Sequence, residues 1–184
     1  MRRLFIAADI SSEARCHASD LGQRLRSVHS GKGVGWTKPE NLHVTIKFLG
    51  ETEPDREEKL IGILTRIARS TEPFRLQFEK PELLGKRVVS IAVGSDSNTV
   101  FTLEVAIDTE CEKLGFAREG RRFHPHLTLG RIRRPEATHE LAKHFLQTQI
   151  EPLSFEVREI VLYESELGPG GSVYRKVDTF KLSA

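Results

Sequence analysis

Leu42-His43-Val44-Thr45-Ile46-Lys47-Phe48 is the stretch that decides the fold. Apolar and polar residues alternate along it with period two, the signature of a strand with one face in a core. Leu42, Val44, Ile46 and Phe48 are expected on the core face. His43, Thr45 and Lys47 are expected on the other. A second segment, His126-Leu127-Thr128-Leu129, has the same pattern, with Leu127 and Leu129 inward and His126 and Thr128 outward. Each motif presents an imidazole and a hydroxyl together on a rigid element.

With 7 histidines among 184 residues, about half a copy of His-x-Thr is expected by chance, so one copy alone carries nothing. Two copies with apolar residues at the middle and following positions are expected at roughly 0.002. A single such motif reads as the wet face of a strand; the pair reads as a site.

Outward from these segments the chain repeats itself weakly. Leu4–Asp9 reads as a buried strand and is followed by a helix started by Ser11 or Ser12, with Ala14, Ala18, Leu21, Leu25 and Val28 on one face. A loop, Ser30-Gly31-Lys32-Gly33-Val34-Gly35, leads to the first motif. A helix is expected from about Pro54 to Arg69, and Phe74, Leu76 and Phe78 alternate as a strand. Val88–Val93 then resembles the opening strand. A helix over about 97–114 follows, stopped by Gly115, and a basic loop leads to the second motif. Pro135 opens a short helix through Ala137, Leu141 and Phe145. Strands near 153–163 and 173–182 flank the turn Gly168-Pro169-Gly170-Gly171. Aligning Ile6-Ala7 with Ile91-Ala92 places His43 37 positions after Ile6 and His126 35 after Ile91. The order predicts an α+β fold of two facing lobes rather than a solenoid.

Composition sets outer bounds. The chain has 184 residues, 38% hydrophobic and 29% charged, with a net charge of +2. That suits a single domain spanning 1–184, with a core needing neither disulfides nor structural metal. Bulk charge does not announce nucleic acid, but six arginines (Arg118, Arg121, Arg122, Arg131, Arg133, Arg134) cluster around one acid, Glu119. Cys16 and Cys111 lack metal-type spacing and are expected to be reduced core residues, as in a cytoplasmic protein. The apolar start breaks at Asp9, too early for a signal peptide, and no stretch approaches a membrane span, so no membrane partner is expected.

Two imidazoles and two hydroxyls suit acid–base chemistry at a phosphate. One neutral imidazole takes a proton from water, and a protonated one gives a proton to the departing oxygen. Hydroxyls donate to oxygens where negative charge builds. His124 and His126 form His-x-His, but Pro125 between them and the want of an acidic or thiol partner argue against a metal site. Lys47 is a candidate phosphate contact, and Trp36, Phe123 and Tyr174 are candidate base-stacking residues.

With Arg3-Leu4-Phe5-Ile6-Ala7, the run from Trp36 to Gly50, Phe123-His124-Pro125-His126-Leu127-Thr128-Leu129-Gly130-Arg131, and Leu162-Tyr163-Glu164-Ser165, the chain resembles the 2H phosphoesterases over nearly its whole length. The likeness is to their RNA 2′,3′-cyclic phosphodiesterase type, once described as 2′-5′ RNA ligases. The resemblance implies a bilobal, pseudo-two-fold fold with antiparallel sheets lining a central cleft and helices outside. It implies metal-independent, cofactor-free opening of a 2′,3′-cyclic phosphate to a 2′-phosphomonoester. The substrates would be RNA ends or nucleoside cyclic phosphates, and the default assembly is a monomer. By that likeness His43 is the proton donor and His126 the acceptor, although spacing alone leaves the two interchangeable. Thr45, Thr128 and Arg131 would hold the phosphate. Regular alternation turns Arg131 towards the core, and a bulge at Gly130 would free it. A non-catalytic RNA-end binding module and a 2′-5′ RNA ligase using the same cleft remain alternatives.

Overall fold

The computed structural model describes residues 1–28, 33–134, 138–168 and 171–184. The expectations for Ser30–Lys32, for Pro135 and Ala137 and for the Pro169-Gly170 turn lie outside the described residues.

Strands β1 (Arg2–Asp9), β2 (Val34–Trp36), β3 (His43–Thr52), β4 (Phe74–Leu84), β5 (Val88–Ser95), β6 (His126–Ile132), β7 (Ser154–Val157), β8 (Glu159–Gly168) and β9 (Gly171–Lys181) form one sheet. Its order is β7-β4-β5-β6-β3-β1-β8-β9, with β2 added against β6. Every strand pair is antiparallel. Helices α1 (Ser12–Val28), α2 (Pro54–Arg69), α3 (Thr99–Lys113) and α4 (Thr138–Leu146) complete the α+β fold.

Local chemistry sets the helix ends. The Ser11 hydroxyl accepts from Ala14 N at 3.1 Å and caps α1, satisfying a donor that the first turn cannot. Pro54 occupies the first turn of α2, where its missing N–H costs nothing. Gly115, at φ 81°, ends α3 in the left-handed region and lets Phe116 N return to Cys111 O.

The apolar stripes meet in one core. Ala14, Ala18, Leu21 and Leu25 of α1 pack with Val44 and Ile46 of β3, with Leu127 and Leu129 of β6, and with Val100, Leu103 and Ile107 of α3. Val28 was expected on that stripe, but it lies at the last turn of α1 and is exposed. Cys111 is buried as expected; Cys16 is exposed, on the outer side of α1.

The sheet explains the repeat. Reading outward from its centre gives β3-β1 on one side and β6-β5 on the other, with α1 and α3 as matching connections. β3 and β6 meet at the Val44↔Leu127 pair, and the pseudo-two-fold relating the halves passes through it. Asp9 pairs with His43 and Ala92 with His126, a separation of 34 residues in both halves. This corrects the Ile6/Ile91 alignment: the equivalent of Ala92 is Asp9.

A candidate active site between two matched strands

The register centred on Val44↔Leu127 sets His43 opposite Thr128 and Thr45 opposite His126. All four side chains therefore share one face, with each imidazole beside the other half's hydroxyl. The two histidines are diagonal neighbours, a relation that places Cβ atoms about 7–8 Å apart, within reach of a group held between two rings. All four residues are partly exposed, while Val44, Leu127 and Leu129 beneath them are buried.

Each imidazole is oriented in the same way. His43 Nδ1 lies 2.7 Å from Asn41 O, and His126 Nδ1 lies 2.9 Å from His124 O. A carbonyl only accepts, so each Nδ1 carries a proton, and each ring turns its Nε2 to the cleft. His43 Nε2 meets Thr45 Oγ1 at 3.0 Å, where the hydroxyl donates.

The carbonyls are themselves fixed. Asn41 ends the short 3₁₀ turn Pro39–Asn41, and its Nδ2 donates to Ser172 O at 2.7 Å. Arg15 Nη1 of α1 donates to Pro39 O and Leu42 O, at 2.5 and 3.1 Å. In the other half, His124 Nε2 lies 2.7 Å from Glu82 Oε2 of β4. Glu82 is thus the acidic partner that the sequence did not reveal for His124. Among the described residues no cluster of three or more His, Cys, Asp or Glu is placed to hold a metal ion.

The surroundings of the two histidines differ. His43 sits among aromatic rings, with centroids 4.9 Å from Phe5, 5.3 Å from Tyr174 and 6.1 Å from Tyr163. Burial pushes its pKa down to about 4, against the raising influence of the Asn41 carbonyl and the Asp9 carboxylate; Arg15 and His126 lower it further. His43 is therefore neutral at pH 7. Beside His126 stands the His124 ring, 6.3 Å away and nearly parallel.

Both strands carry a β-bulge one residue after the threonine. Ala7↔Thr45 is followed by Ile6↔Lys47, leaving Ile46 extra, and Ser90↔Thr128 by Val89↔Gly130, leaving Leu129 extra. The extra residue reverses the alternation. Lys47 consequently points into the core, 3% exposed, and pairs with Asp108 of α3. The expectation that Lys47 shares the cleft face with His43 is corrected by this bulge. Phe48, expected in the core, is 61% exposed beside Phe5. On β6 the same reversal leaves Gly130 buried and frees Arg131, which is exposed at the position equivalent to Phe48.

Of the expected stacking residues, Tyr174 alone lies against His43. Trp36 is partly buried over Gly130, and Phe123 packs edge-on against Phe101. Phe5, Phe48, Tyr163 and Asp9 escaped the sequence reading as site residues. Asp9 left one signal, a single acid closing an otherwise apolar strand.

Comparison with known proteins identifies relatives along the chain. Residues 15–169 match the 2′-5′ RNA ligase superfamily. The RNA 2′,3′-cyclic phosphodiesterase of Methanothermobacter thermautotrophicus is 33% identical, covering 98% of each chain. That of Archaeoglobus fulgidus is 34% identical over 97% of this chain and 99% of its own. Among solved structures, E. coli LigT complexed with 3′-AMP superposes with a TM-score of 0.79 at 26% identity, covering 100% of this chain and 99% of its own. With its duplicated His-x-Thr strands and full-length likeness to these proteins, the chain belongs to the 2′-5′ RNA ligase superfamily of 2H phosphoesterases.

Proposed function

We propose that the chain is an RNA 2′,3′-cyclic phosphodiesterase working by two-histidine acid–base catalysis. The observation that carries this reading is the antiparallel register about Val44↔Leu127, which brings His43, Thr45, His126 and Thr128 onto one face with both Nε2 atoms presented to the cleft. The full-length relatives named for this activity support it.

In the proposed reaction, His126 Nε2 takes a proton from a water whose oxygen attacks phosphorus. The P–O3′ bond breaks as His43 Nε2 gives a proton to O3′, leaving a 2′-phosphomonoester. His126 ends protonated and His43 neutral, and exchange with solvent resets the pair. Because burial keeps His43 neutral at pH 7, it takes up its proton from solvent as the anionic substrate binds. The phosphate monoanion stabilises the imidazolium, and water leaves the pocket as the nucleotide enters. Once Nε2 is protonated, the Thr45 hydroxyl is released towards a phosphate oxygen. Thr128 and Arg131 would supply further donors as charge develops.

The same reading takes 1–184 as one bilobal unit, supported by the continuous sheet. It places a monomer in the cytoplasm acting on RNA ends or nucleoside cyclic phosphates. The free cysteines are compatible with that compartment, and no helix among the described residues is long and apolar enough to cross a membrane.

The deciding assay incubates the protein with a nucleoside 2′,3′-cyclic phosphate in EDTA and follows the phosphomonoester. Turnover to the 2′-isomer is expected. Binding without turnover would make the chain an RNA-end binding module, and turnover abolished by EDTA would replace the histidine mechanism with a metal-dependent one.

A further inference from the structure

We infer that Asp9 is the positioning residue that breaks the symmetry between the two histidines, its carboxylate favouring a proton on His43 against the burial that disfavours one. This rests on the phosphodiesterase reading and says which half of the cleft supplies the acid.

The halves match closely where the chemistry needs them to match. Both imidazoles are held through Nδ1 by the carbonyl two residues upstream, and both strands bulge after the threonine. The mismatch lies on the neighbouring strand. Opposite His43 in the β1–β3 ladder stands Asp9; opposite His126 in the β5–β6 ladder stands Ala92. Partners directly opposite on one face of an antiparallel pair have Cβ atoms about 4.5–5.5 Å apart. A carboxylate at that range favours the imidazolium.

Asp9 is held in place. Tyr163 Oη donates to its Oδ1 at 2.5 Å, and Lys176 Nζ to its Oδ2 at 2.7 Å. Burial and the neighbouring Asp9 carboxylate both raise the Tyr163 pKa, so the phenol stays a donor. Lys176 is 51% exposed and keeps part of its hydration, whereas the Asp9 side chain is 22% exposed. The anion is therefore the less solvated member, and its field at His43 is reduced by the ammonium without being cancelled.

The other groups around His43 do not substitute for Asp9. Arg15 from α1 and His126 from β6 are cationic or become so, and both disfavour a proton on His43. Phe5 from β1, Tyr163 from β8 and Tyr174 from β9 offer rings. On the opposite side, Glu82 is engaged by His124, one ring removed from His126. Asp9 thus stands directly across the ladder from one histidine, where Ala92 stands across from the other.

The test titrates the two imidazoles by NMR, in the free protein and with 2′-AMP bound, for the wild type, Asp9→Asn and Lys176→Gln. Asp9→Asn should lower the His43 pKa by about one unit and leave His126 in place, and Lys176→Gln should raise it. A one-unit drop in a mostly neutral acid cuts its protonated fraction about tenfold. Asp9→Asn should therefore slow adenosine 2′,3′-cyclic phosphate about tenfold, yet barely affect the analogue with sulfur bridging at the 3′ position, whose thiolate leaves without a proton. An unmoved His43 pKa, a His126 shift of equal size, or equal losses on oxygen and sulfur substrates would overturn the assignment. Should Asp9→Asn not fold, the Lys176→Gln titration decides alone, since its side chain is outside the core. Failure of the phosphodiesterase reading looks different: the wild type would not turn over, while the titration would still report on Asp9.

Discussion

Lys47 Nζ lies 2.5 Å from Asp108 Oδ1, an ion pair with 2% and 9% side-chain exposure that fastens β3 of one half to α3 of the other. The same ammonium donates to Ala117 O at 2.9 Å, and Asp108 Oδ1 also accepts from Glu119 N at 3.1 Å. A single buried cluster therefore anchors the bulge on the strand that carries His43 and the loop that approaches His126.

Removing one member of this pair should be expensive. Lys47→Met leaves the Asp108 carboxylate buried with Arg118 as its remaining cation at 3.3 Å, and a loss of about 3 kcal/mol is expected. Lys47→Met with Asp108→Leu should cost less than the sum of the single changes. Burial pushes the Asp108 carboxyl up, but the hydrogen bonds from Lys47 and Glu119 N outweigh it and leave it below the ordinary value. The stability it contributes is present above about pH 4 and is lost as pH falls through the lowered folded value. Urea denaturation at several pH values should show the wild-type advantage over Asp108→Asn shrinking towards pH 3.

His43 gives the opposite test of burial. Its folded pKa, near 4, lies below the ordinary value of 6.5. Between these limits the unfolded chain binds the extra proton, so stability falls as pH drops from about 6.5 towards 4. The total linked to this residue is on the order of 3 kcal/mol. His43→Gln should flatten that part of the stability–pH curve measured by chemical denaturation, and an unchanged slope would contradict the enclosed imidazole.

His43→Ala and His126→Ala should each lower single-turnover rates by about 10²–10⁴-fold. The double variant should be little worse, because the two residues act as a unit. A substrate with sulfur at the 3′ bridge separates their roles. It should restore most of the rate to His43→Ala and little to His126→Ala; the reverse pattern would exchange acid and base. Thr45→Ala and Thr128→Ala should each cost about 10-fold, the loss of one donor to a charged oxygen.

The four central residues were legible because alternation holds from Leu42 to Thr45 and from His126 to Thr128, and period two needs no knowledge of partners. Legibility stopped at Ile46 and Leu129. Each bulge is defined by register against β1 or β5, contacts tens of residues away that a local pattern does not contain. Lys47 and Phe48 were therefore assigned to the wrong faces, and the freedom of Arg131 depended on a bulge that only the ladder reveals. β2 was hidden for a similar reason. Val34–Trp36 follows a glycine-rich loop, and its partner Gly130–Ile132 lies nearly a hundred residues on.

Gly130 tests how tightly the second bulge is built. A Cβ there would meet Trp36 Cε3 and Val34 Cγ1 at 3.1 Å and the Gly35 carbonyl oxygen at 3.2 Å. One neighbour is backbone and the others are partly buried side chains packed on the core, so little can yield. The equivalent residue on β3 is Lys47, whose side chain is buried against Asp108 and the Ala117 carbonyl. Gly130→Ala should cost about 1–3 kcal/mol by overpacking, read as a lower urea midpoint at unchanged m. It should also push β2 away from β6, loosening the Thr37 N to Leu129 O hydrogen bond of 2.9 Å. Because Arg131 follows directly, its guanidinium should be displaced as well, raising KM for the cyclic phosphate more than Arg131→Lys does. A Gly130→Ala protein with wild-type stability and KM would mean that β2 is not held against the bulge as tightly as these distances require.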